Sequence, residues 1–248
     1  MATYSPPTPA LSDTALFLDI DGTLLPLQSD PAGVASDPVL RQKLTELVTR
    51  TDGALALVSG RTLADIDRIF APLAFSAAGT HGGEIRHRGA DLSPPGLSAL
   101  DEMALKPIAD FVAANRGLLL ENKGVSVTLH FRERPDLEAD CRAMIDALYE
   151  RHPEGMQVIA GKMVFELTPI AANKGAAIQR LLGEPPFRGR QPVFLGDDTT
   201  DEAGFTVVND AGGLSVLVGE RDTTAATHRL EGVAAVHGWL SNLIAKRE

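Results

Sequence analysis

Residues 16–27, LFLDIDGTLLPL, begin as an apolar run and then place two aspartates, Asp19 and Asp21, with one isoleucine between them. Such an apolar run is typical of a strand buried on both faces, and strands of this kind occur in parallel sheets covered by helices. Two carboxylates beside a hydrophobic core cost desolvation free energy and repel each other. The segment therefore predicts a parallel α/β sheet whose edge carries a site that offsets two negative charges.

The remainder of the chain follows two different patterns. Buried strands alternate with helices in the first part, and this pattern returns from Asn173 onwards. Between these parts the order is helix, strand, strand, given twice. In VSVTLHFR, residues 125–132, apolar and polar residues alternate, which is typical of an antiparallel strand with one wet face. The simplest account is a Rossmann-like parallel-sheet α/β core interrupted by an inserted α+β domain of order αββαββ.

The domain boundaries follow from these patterns. We expect an N-terminal tail over residues 1–13 and a core domain made of residues 14–96 and 170–248. The inserted domain is expected over residues 97–169. Prolines near both joints are suited to semi-rigid connections.

The composition limits the partners and the compartment. The 248 residues include 23 Lys and Arg against 33 Asp and Glu, and this net charge of −10 argues against nucleic acid or an anionic membrane as the main partner. Cys141 is the sole cysteine, so no disulfide can form within the chain, and its helical setting predicts a packed thiol. No apolar run approaches ~20 residues, and the N-terminal stretch lacks a basic flank and an apolar core. We therefore expect a soluble, cytoplasmic protein.

Side chains that could take part in catalysis or bind a cation directly follow the predicted core strands. Open parallel sheets bind ligands at these carboxyl ends of their strands. These residues are Asp19, Asp21, Ser59, Lys174, Asp197, Asp198 and Asp201. Taken singly, Ser59 or Asp201 is explained as a helix N-cap and Lys174 as a solvated lysine. Together they form a group of up to five carboxylates opposed mainly by Lys174, which is tolerable if a divalent cation binds there. A set of oxygen ligands indicates Mg²⁺.

Four short motifs, in order and each after a predicted strand, carry a resemblance to a known superfamily. DIDGTL, SGR, NKG and GDDTTDE resemble the motifs of the haloacid dehalogenase (HAD) phosphatases, and the insertion resembles the larger, C2-type cap of that superfamily. A closer similarity is to the trehalose-6-phosphate phosphatase family. It rests on GTHGGE (79–84), ENKGVSVTLHFR (121–132), GKMVFELTP (161–169) and the doubled aspartate of GDDTTDE. The resemblance covers nearly the whole chain beyond the tail.

This resemblance implies a Mg²⁺-dependent phosphatase that acts through an aspartyl-phosphate intermediate. It implies that Asp19 is the nucleophile and that Asp21 protonates the sugar alkoxide and later deprotonates water. Ser59 and Lys174 are expected to offset charge on the phosphate. The metal-binding residues that it implies are Asp19, Asp21 (through its backbone carbonyl), Asp197 and Asp198. It implies that Asp201 does not bind the metal and instead orients Lys174 or the waters on the metal.

Substrate choice is expected to lie mainly in the cap, because a sugar is recognised through hydrogen bonds to its hydroxyls. With the resemblance, the candidate substrate-binding residues are Gly60, Arg61, His81, Glu121, Lys123, His130, Lys162 and Glu166. The alternative for the cap residues is an ordinary solvated sheet face. The alternatives for Arg61 and His81 are a solvated arginine and a turn histidine.

The activity implied by the resemblance is hydrolysis of trehalose 6-phosphate to trehalose and phosphate, with a functional link to a trehalose-6-phosphate synthase. The nearest alternatives are phosphatases of the same cap type that act on sucrose phosphate or mannosyl-3-phosphoglycerate. An alternative of another class is a non-catalytic sugar-phosphate sensor. A sensor would usually have lost the first aspartate, the lysine or the metal aspartate, and all three are present as Asp19, Lys174 and Asp197.

Overall fold

The computed structural model describes residues 5–28, 33–87, 90–93, 100–161 and 163–246. The chain forms two compact units. The first consists of Met1–Ser93 and Asn173–Glu248, and the second of Pro94–Ala172.

An eight-stranded sheet forms the centre of the first unit. Its strands are β1 (Thr14–Leu18), β2 (Leu55–Val58), β3 (Ser76–Gly79), β4 (Glu84–His87), β5 (Ala90–Asp91), β10 (Gln191–Gly196), β11 (Leu214–Val218) and β12 (His228–Leu230), and β6 to β9 belong to the second unit. The order is β12-β11-β10-β1-β2-β3-β4-β5. All neighbours from β12 to β3 are parallel, whereas β4 and β5 add antiparallel pairs at one edge. The predicted parallel core sheet is confirmed.

Helices cover both faces of this sheet. They are α1 (Pro38–Arg50), α2 (Leu63–Phe70), α5 (Lys174–Leu182), α6 (Glu202–Asp210) and α7 (Val233–Ala245). Alternate residues of β1 point to opposite faces, because side chains along a strand have a period of two. Leu16 and Leu18 pack with apolar residues of α1, α2 and α7, whereas Ala15 and Phe17 pack with those of α5 and α6. This two-sided burial explains the continuous apolar sequence of the strand.

Part of the segment predicted as an N-terminal tail is packed on the core. Leu11 is fully buried and belongs to the same hydrophobic cluster as α7. The indole N–H of Trp239 in α7 donates to the backbone carbonyls of Pro6 and Pro7 at 3.2 Å each. Burial of Leu11 and these hydrogen bonds tie the described residues of this segment to the closing helix.

The second unit has the order α3 (Glu102–Ala114), β6 (Leu119–Asn122), β7 (Val127–His130), α4 (Glu138–Arg151), β8 (Met156–Gly161) and β9 (Val164–Pro169). Its sheet has the order β6-β7-β9-β8, and all pairs are antiparallel. One face packs on α3 and α4 through residues that include Val127, Leu129 and Cys141. The predicted αββαββ order is confirmed.

The opposite face of the second sheet differs from the sequence prediction. It was expected to be wet, yet Ser126 and Thr128 are buried. The side chains of Lys123 and Glu166 pair on the same face and are themselves mostly buried. The polar residues of this alternating pattern therefore lie on a buried face. Alternation of apolar and polar residues alone does not tell a buried polar face from a solvent-exposed one.

Within the residues that the structure describes, no helix is both long enough and apolar enough to cross a membrane.

Candidate active site

The carboxyl ends of three neighbouring parallel strands place the first set of predicted residues together. Asp19 follows β1, Ser59 follows β2 and Asp197 follows β10. The backbone N–H of Asp19 donates to the carbonyl of Leu195 at 3.0 Å, which continues the β1–β10 register beyond the strand. Asp19 and Ser59 are only 3% and 1% exposed. The sheet edge thus brings a buried carboxylate and a buried hydroxyl to the expected position.

Lys174 brings the positive charge to this edge. It is the first residue of α5, whose N-cap Asn173 accepts a hydrogen bond from the N–H of Ala176 at 2.8 Å. The Lys174 Nζ atom donates to Asp19 Oδ1 and to Asp201 Oδ1, both at 2.7 Å. Burial alone would lower the pKa of Lys174, but the charges of Asp19 and Asp201 outweigh burial and raise that pKa. Lys174 is therefore a buried cation shared by two carboxylates.

Asp201 is fully buried and uses both carboxylate oxygens for support. Its Oδ1 accepts from Lys174, and its Oδ2 accepts from the backbone N–H groups of Asp197 and Asp198 at 2.9 Å each. A carboxylate bonded in this way holds its donors in one geometry. Asp201 thus fixes both Lys174 and the loop that carries Asp197.

Three acidic side chains at this edge could hold a cation. Among the described residues, carboxylate oxygens of Asp19, Asp197 and Asp201 lie within 4.8 Å of one another. Burial, and to a smaller extent the negative charge of Asp201, raises the pKa of Asp197 to about 7. Burial also raises the pKa of Asp19, although the neighbouring Lys174 opposes the rise. One lysine does not neutralise three carboxylates, so the donor set fits a divalent cation with hard oxygen ligands.

The Asp198 side chain lies away from this cluster. It caps the turn Thr199–Asp201 by accepting from the N–H of Thr199 at 2.7 Å, and it pairs with Arg221 at 3.3 Å. Burial raises the pKa of Asp198, but the hydrogen bonds from Thr199 outweigh it and lower that pKa. In this conformation the Asp198 carboxylate supports the turn rather than joining Asp19 and Asp197.

Asp21 is held by a bidentate ion pair. The Nε and Nη2 atoms of Arg61 donate to the two Asp21 carboxylate oxygens at 2.6 and 2.7 Å. The remaining terminal nitrogen of Arg61 pairs with Asp65, one turn into α2. Burial would lower the pKa of Arg61, but its hydrogen bonds to the carboxylates of Asp21 and Asp65 outweigh burial and raise that pKa. Arg61 is therefore an ion-pair partner that orients Asp21, and the solvated-arginine alternative does not hold in this structure.

The GTHGGE turn supports the segment that follows β2. Thr80 and His81 have positive φ angles of 47° and 56°, an uncommon backbone conformation for residues other than glycine. Their N–H groups donate to the carbonyls of Arg61 and Ser59 at 2.7 and 2.9 Å. A Cβ atom on Gly60 would lie 2.6 Å from the His81 ring, so the two turns pack closely. The supporting role of Thr80 was missed from sequence, although GTHGGE was noted as a motif.

Four of the cap candidates lie on one sheet face. Lys123 Nζ lies 3.6 Å from Glu166 Oε2 and 4.0 Å from Glu121 Oε2. His130 Nε2 lies 3.2 Å from Glu121 Oε2. Burial raises the pKa of Glu121, but His130 and Lys123 outweigh it and lower that pKa. The fifth candidate, Lys162, lies outside the described residues.

Gly22 lies against the acidic cluster. Its φ angle is +82°, and an added Cβ atom would lie 2.1 Å from the Oδ2 atom of Asp197. Two features therefore require glycine at this position: the positive φ angle of the backbone and the close approach of the Asp197 carboxylate. The DIDGTL turn and the Asp197 loop meet at this residue.

Comparisons with known proteins agree with this geometry. A family model described as trehalose-phosphatase matches residues 17–233. A probable trehalose-phosphate phosphatase of Sinorhizobium fredii is 42% identical over 210 residues, covering 84% of this chain and 79% of that protein. Trehalose-6-phosphate phosphatase of Escherichia coli is 40% identical over 235 residues, covering 94% of this chain and 88% of that protein.

Solved structures agree as well. A trehalose-6-phosphate phosphatase related protein superposes with a TM-score of 0.80 at 27% identity and covers 93% of this chain and 96% of its own. The C-terminal domain of Candida albicans trehalose-6-phosphate phosphatase superposes with a TM-score of 0.81 at 24% identity over 99% of each chain, which shows a shared fold. The resemblance inferred from the motifs is confirmed, and the chain belongs to the trehalose-phosphatase family.

Proposed function

We propose that this chain hydrolyses trehalose 6-phosphate to trehalose and phosphate, as a Mg²⁺-dependent enzyme of trehalose biosynthesis. The observation that carries the proposal is the buried Asp19 carboxylate, hydrogen-bonded to Lys174 at the sheet edge beside Asp197 and Asp201. Membership of the trehalose-phosphatase family supports the substrate. A trehalose-6-phosphate synthase is the partner activity that would supply this ester.

The reaction proceeds in two displacements at phosphorus. An Asp19 oxygen bonds to phosphorus while the bond from phosphorus to the sugar oxygen breaks, and Asp21 gives the departing oxygen its proton. Water then attacks the phosphorus of the aspartyl phosphate and loses a proton to Asp21, which releases phosphate and restores Asp19. Lys174 and the Ser59 hydroxyl hold phosphate oxygens throughout. Because both Asp21 oxygens accept from Arg61 in this structure, Asp21 would transfer protons only after one oxygen leaves that pair.

Mg²⁺ is the proposed metal because the donors are all oxygens. Asp19, the Asp21 backbone carbonyl and Asp197 would hold it, and Asp198 would add a contact only after its carboxylate leaves Arg221. The bound ion would neutralise charge on the phosphate and make its phosphorus easier to attack. Asp201 would keep its hydrogen bonds and act through Lys174 and the loop.

In this proposal, side chains of the second unit bind the sugar. Glu121, Lys123, His130 and Glu166 supply charged and neutral hydrogen-bonding groups on one sheet face. Lys162 is retained as a candidate. Gly60 and His81 are proposed to border the phosphate, because their close packing supports the segment after Ser59.

The substrate is tested by phosphate release from a panel of esters in the presence of Mg²⁺. Trehalose 6-phosphate should be hydrolysed far faster than sucrose 6-phosphate, mannosyl-3-phosphoglycerate or glucose 6-phosphate. Equal rates on all four would retain a phosphatase and reject the proposed substrate. Tight binding of one ester without phosphate release would favour a sensor.

Metal binding should depend on pH through Asp197. Its pKa of about 7 lies above its ordinary value of 3.8, so the folded chain binds this proton more tightly than the unfolded chain. The resulting stabilisation is complete below the unfolded pKa and is lost as pH rises through the folded pKa. Because Mg²⁺ competes with the same proton, its stabilising effect should increase over this window. Saturating Mg²⁺ should raise Tm by roughly 5–10 °C at about pH 8 and by clearly less at about pH 5.5.

Thermal unfolding of wild type and Asp197→Asn, each with and without Mg²⁺, checks this expectation. The variant should lose most of the Mg²⁺-dependent shift and its pH dependence. A shift of equal size in both proteins would place the ion elsewhere.

Gly22→Ala should displace the Asp197 carboxylate and weaken the metal site. The variant is expected to lose most of the Mg²⁺-dependent rise in Tm, because the new Cβ atom would lie only 2.1 Å from Asp197 Oδ2 and would push this carboxylate away. Gly219→Ala is the matched control, since its φ angle is +87° and nothing lies within 4 Å of an added Cβ atom. Both variants should lose about 1–2 kcal/mol from the left-handed backbone, but only Gly22→Ala should change the response to Mg²⁺. Equal responses in the two variants would contradict the expectation.

A further inference from the structure

Three hydroxyl groups on the polar face of the second sheet are buried without hydrogen-bond partners. Ser126, Thr128 and Thr168 are 0%, 3% and 0% exposed. Within the described part of the chain, none of their hydroxyl oxygens has a hydrogen-bond partner. Thr51, also fully buried, behaves in the usual way, because its hydroxyl donates to the carbonyl of Leu47 at 2.8 Å. Buried polar groups are normally bonded, so three exceptions on one face require an explanation.

The register of the strands places Thr128 among charged side chains. Thr128 in β7 is the direct cross-strand neighbour of Glu121 in β6 and of Glu166 in β9. Directly opposed residues share a face, with Cβ atoms about 4.5–5.5 Å apart. Lys123 lies on the same face, because its Nζ atom lies 3.6 Å from Glu166 and 4.0 Å from Glu121. Thr128 therefore stands at the centre of this charged row.

Ser126 and Thr168 extend the face by one more row. Val127, the first residue of β7, pairs with Leu167, so Ser126, the residue before β7, continues this register towards Thr168 of β9. Ser126 and Thr168 thus face each other one step from the Thr128 row, on the same side of the sheet. The backbone carbonyl of Ser126 accepts from the N–H of Lys123 at 2.9 Å, which ties this row to the charged one. The result is a continuous polar face with three buried hydroxyl groups.

This polar face suits a ligand that is itself rich in hydroxyls. A hydroxyl both donates and accepts, so it can pair with a sugar hydroxyl in either direction. The carboxylates of Glu121 and Glu166 can accept hydrogen bonds from sugar hydroxyls, and Lys123 can donate to them. The face therefore offers both the acceptors and the donors that a sugar needs. An apolar ligand would leave the three hydroxyls unpaired and is disfavoured.

We propose that Thr128, flanked by Ser126 and Thr168, hydrogen-bonds the sugar hydroxyls of the phosphate ester and so contributes to substrate choice. This inference rests on the proposed function and adds residues to it. These hydroxyls are buried here, so a sugar would pair with them only after displacing the groups that cover them. They act on sugar binding and take no part in the chemistry at phosphorus.

Thr128→Val tests the inference, because the exchange removes the hydroxyl and keeps the shape. In wild type and variant, kcat/KM is measured for trehalose 6-phosphate and for 4-nitrophenyl phosphate, which has no sugar hydroxyls. The variant should lose about 3- to 30-fold in kcat/KM for the sugar ester, the effect of one to two neutral hydrogen bonds. The aryl ester should be hydrolysed as by wild type. The Tm of the ligand-free variant should rise, because a buried unpaired hydroxyl is replaced by a methyl group.

Two companion variants sharpen the result. Thr168→Val should give a loss of the same kind, whereas Thr51→Val should lower Tm and leave the ratio of the two kcat/KM values unchanged. A higher Tm for Thr128→Val with an unchanged ratio would overturn the inference, since a merely structural hydroxyl predicts that outcome. An equal loss on both esters would also overturn it.

Failure of the proposed function is visible separately. If wild type prefers another sugar phosphate, the substrate is wrong, and the same ratio is then measured on that ester. If wild type hydrolyses the aryl ester but no sugar phosphate, both the proposed substrate and the role of Thr128 are rejected.

Discussion

Asp19→Asn is expected to abolish phosphate release while leaving the folded state as stable as wild type or more stable. The amide cannot attack phosphorus, and loss of a catalytic nucleophile commonly costs ~10³-fold or more in rate. Burial, with Asp201 and Asp197 nearby, raises the pKa of Asp19 despite the opposing Lys174. A carboxyl with a raised pKa favours folding only at low pH, and its ionised form is unfavourable near neutrality. Replacing it by a neutral amide removes that cost.

The check combines phosphate release from trehalose 6-phosphate with chemical denaturation at neutral pH. Asp37→Asn is a suitable control, because Asp37 caps α1 and asparagine caps helices equally well. That control should change neither measurement. Undiminished phosphate release by Asp19→Asn would reject Asp19 as nucleophile, and a large loss of stability would reject the electrostatic account.

Lys174→Met should have the opposite effect on stability. The side chain is 3% exposed, and its Nζ atom is the shared donor to Asp19 and Asp201. Without it, the buried carboxylates lose their opposing charge, and breaking a buried pair in this way costs about 3–5 kcal/mol. Phosphate release should also fall by ~10²-fold or more, because an electrostatic contact to the phosphate is lost.

A double variant separates charge from packing. Asp19→Asn combined with Lys174→Met should be more stable than Lys174→Met alone, since it removes one of the unpaired carboxylates. Lys106→Met is the control, because the Lys106–Asp110 pair is solvent-exposed and should contribute little. A loss of stability no greater in Lys174→Met than in Lys106→Met would contradict the role given to the buried lysine.

Much of this site could be predicted from local sequence. The apolar strands fix where β1, β2 and β10 end, and parallel topology brings those ends to one edge. Local sequence therefore predicts that Asp19, Ser59, Lys174 and Asp197 lie at one edge, and in the structure Asp19 contacts Lys174 and lies near Asp197.

Other features depend on geometry that the sequence does not specify. Asp197, Asp198 and Asp201 lie within five residues, yet turn geometry directs one to the cluster, one to Arg221 and one to Lys174. Alternation along β7 predicted a polar face but could not reveal that Thr128 is buried there. Such outcomes depend on neighbours that are distant in the chain.

The stereochemical course at phosphorus tests the central claim most directly. Trehalose 6-phosphorothioate carrying two oxygen isotopes in defined positions at phosphorus is hydrolysed by the wild-type chain with Mg²⁺ in water enriched in the third isotope, and the configuration of the released thiophosphate is determined. Each in-line displacement inverts the configuration, so two displacements through Asp19 predict overall retention. Inversion would mean that water attacks the ester directly and would contradict the account.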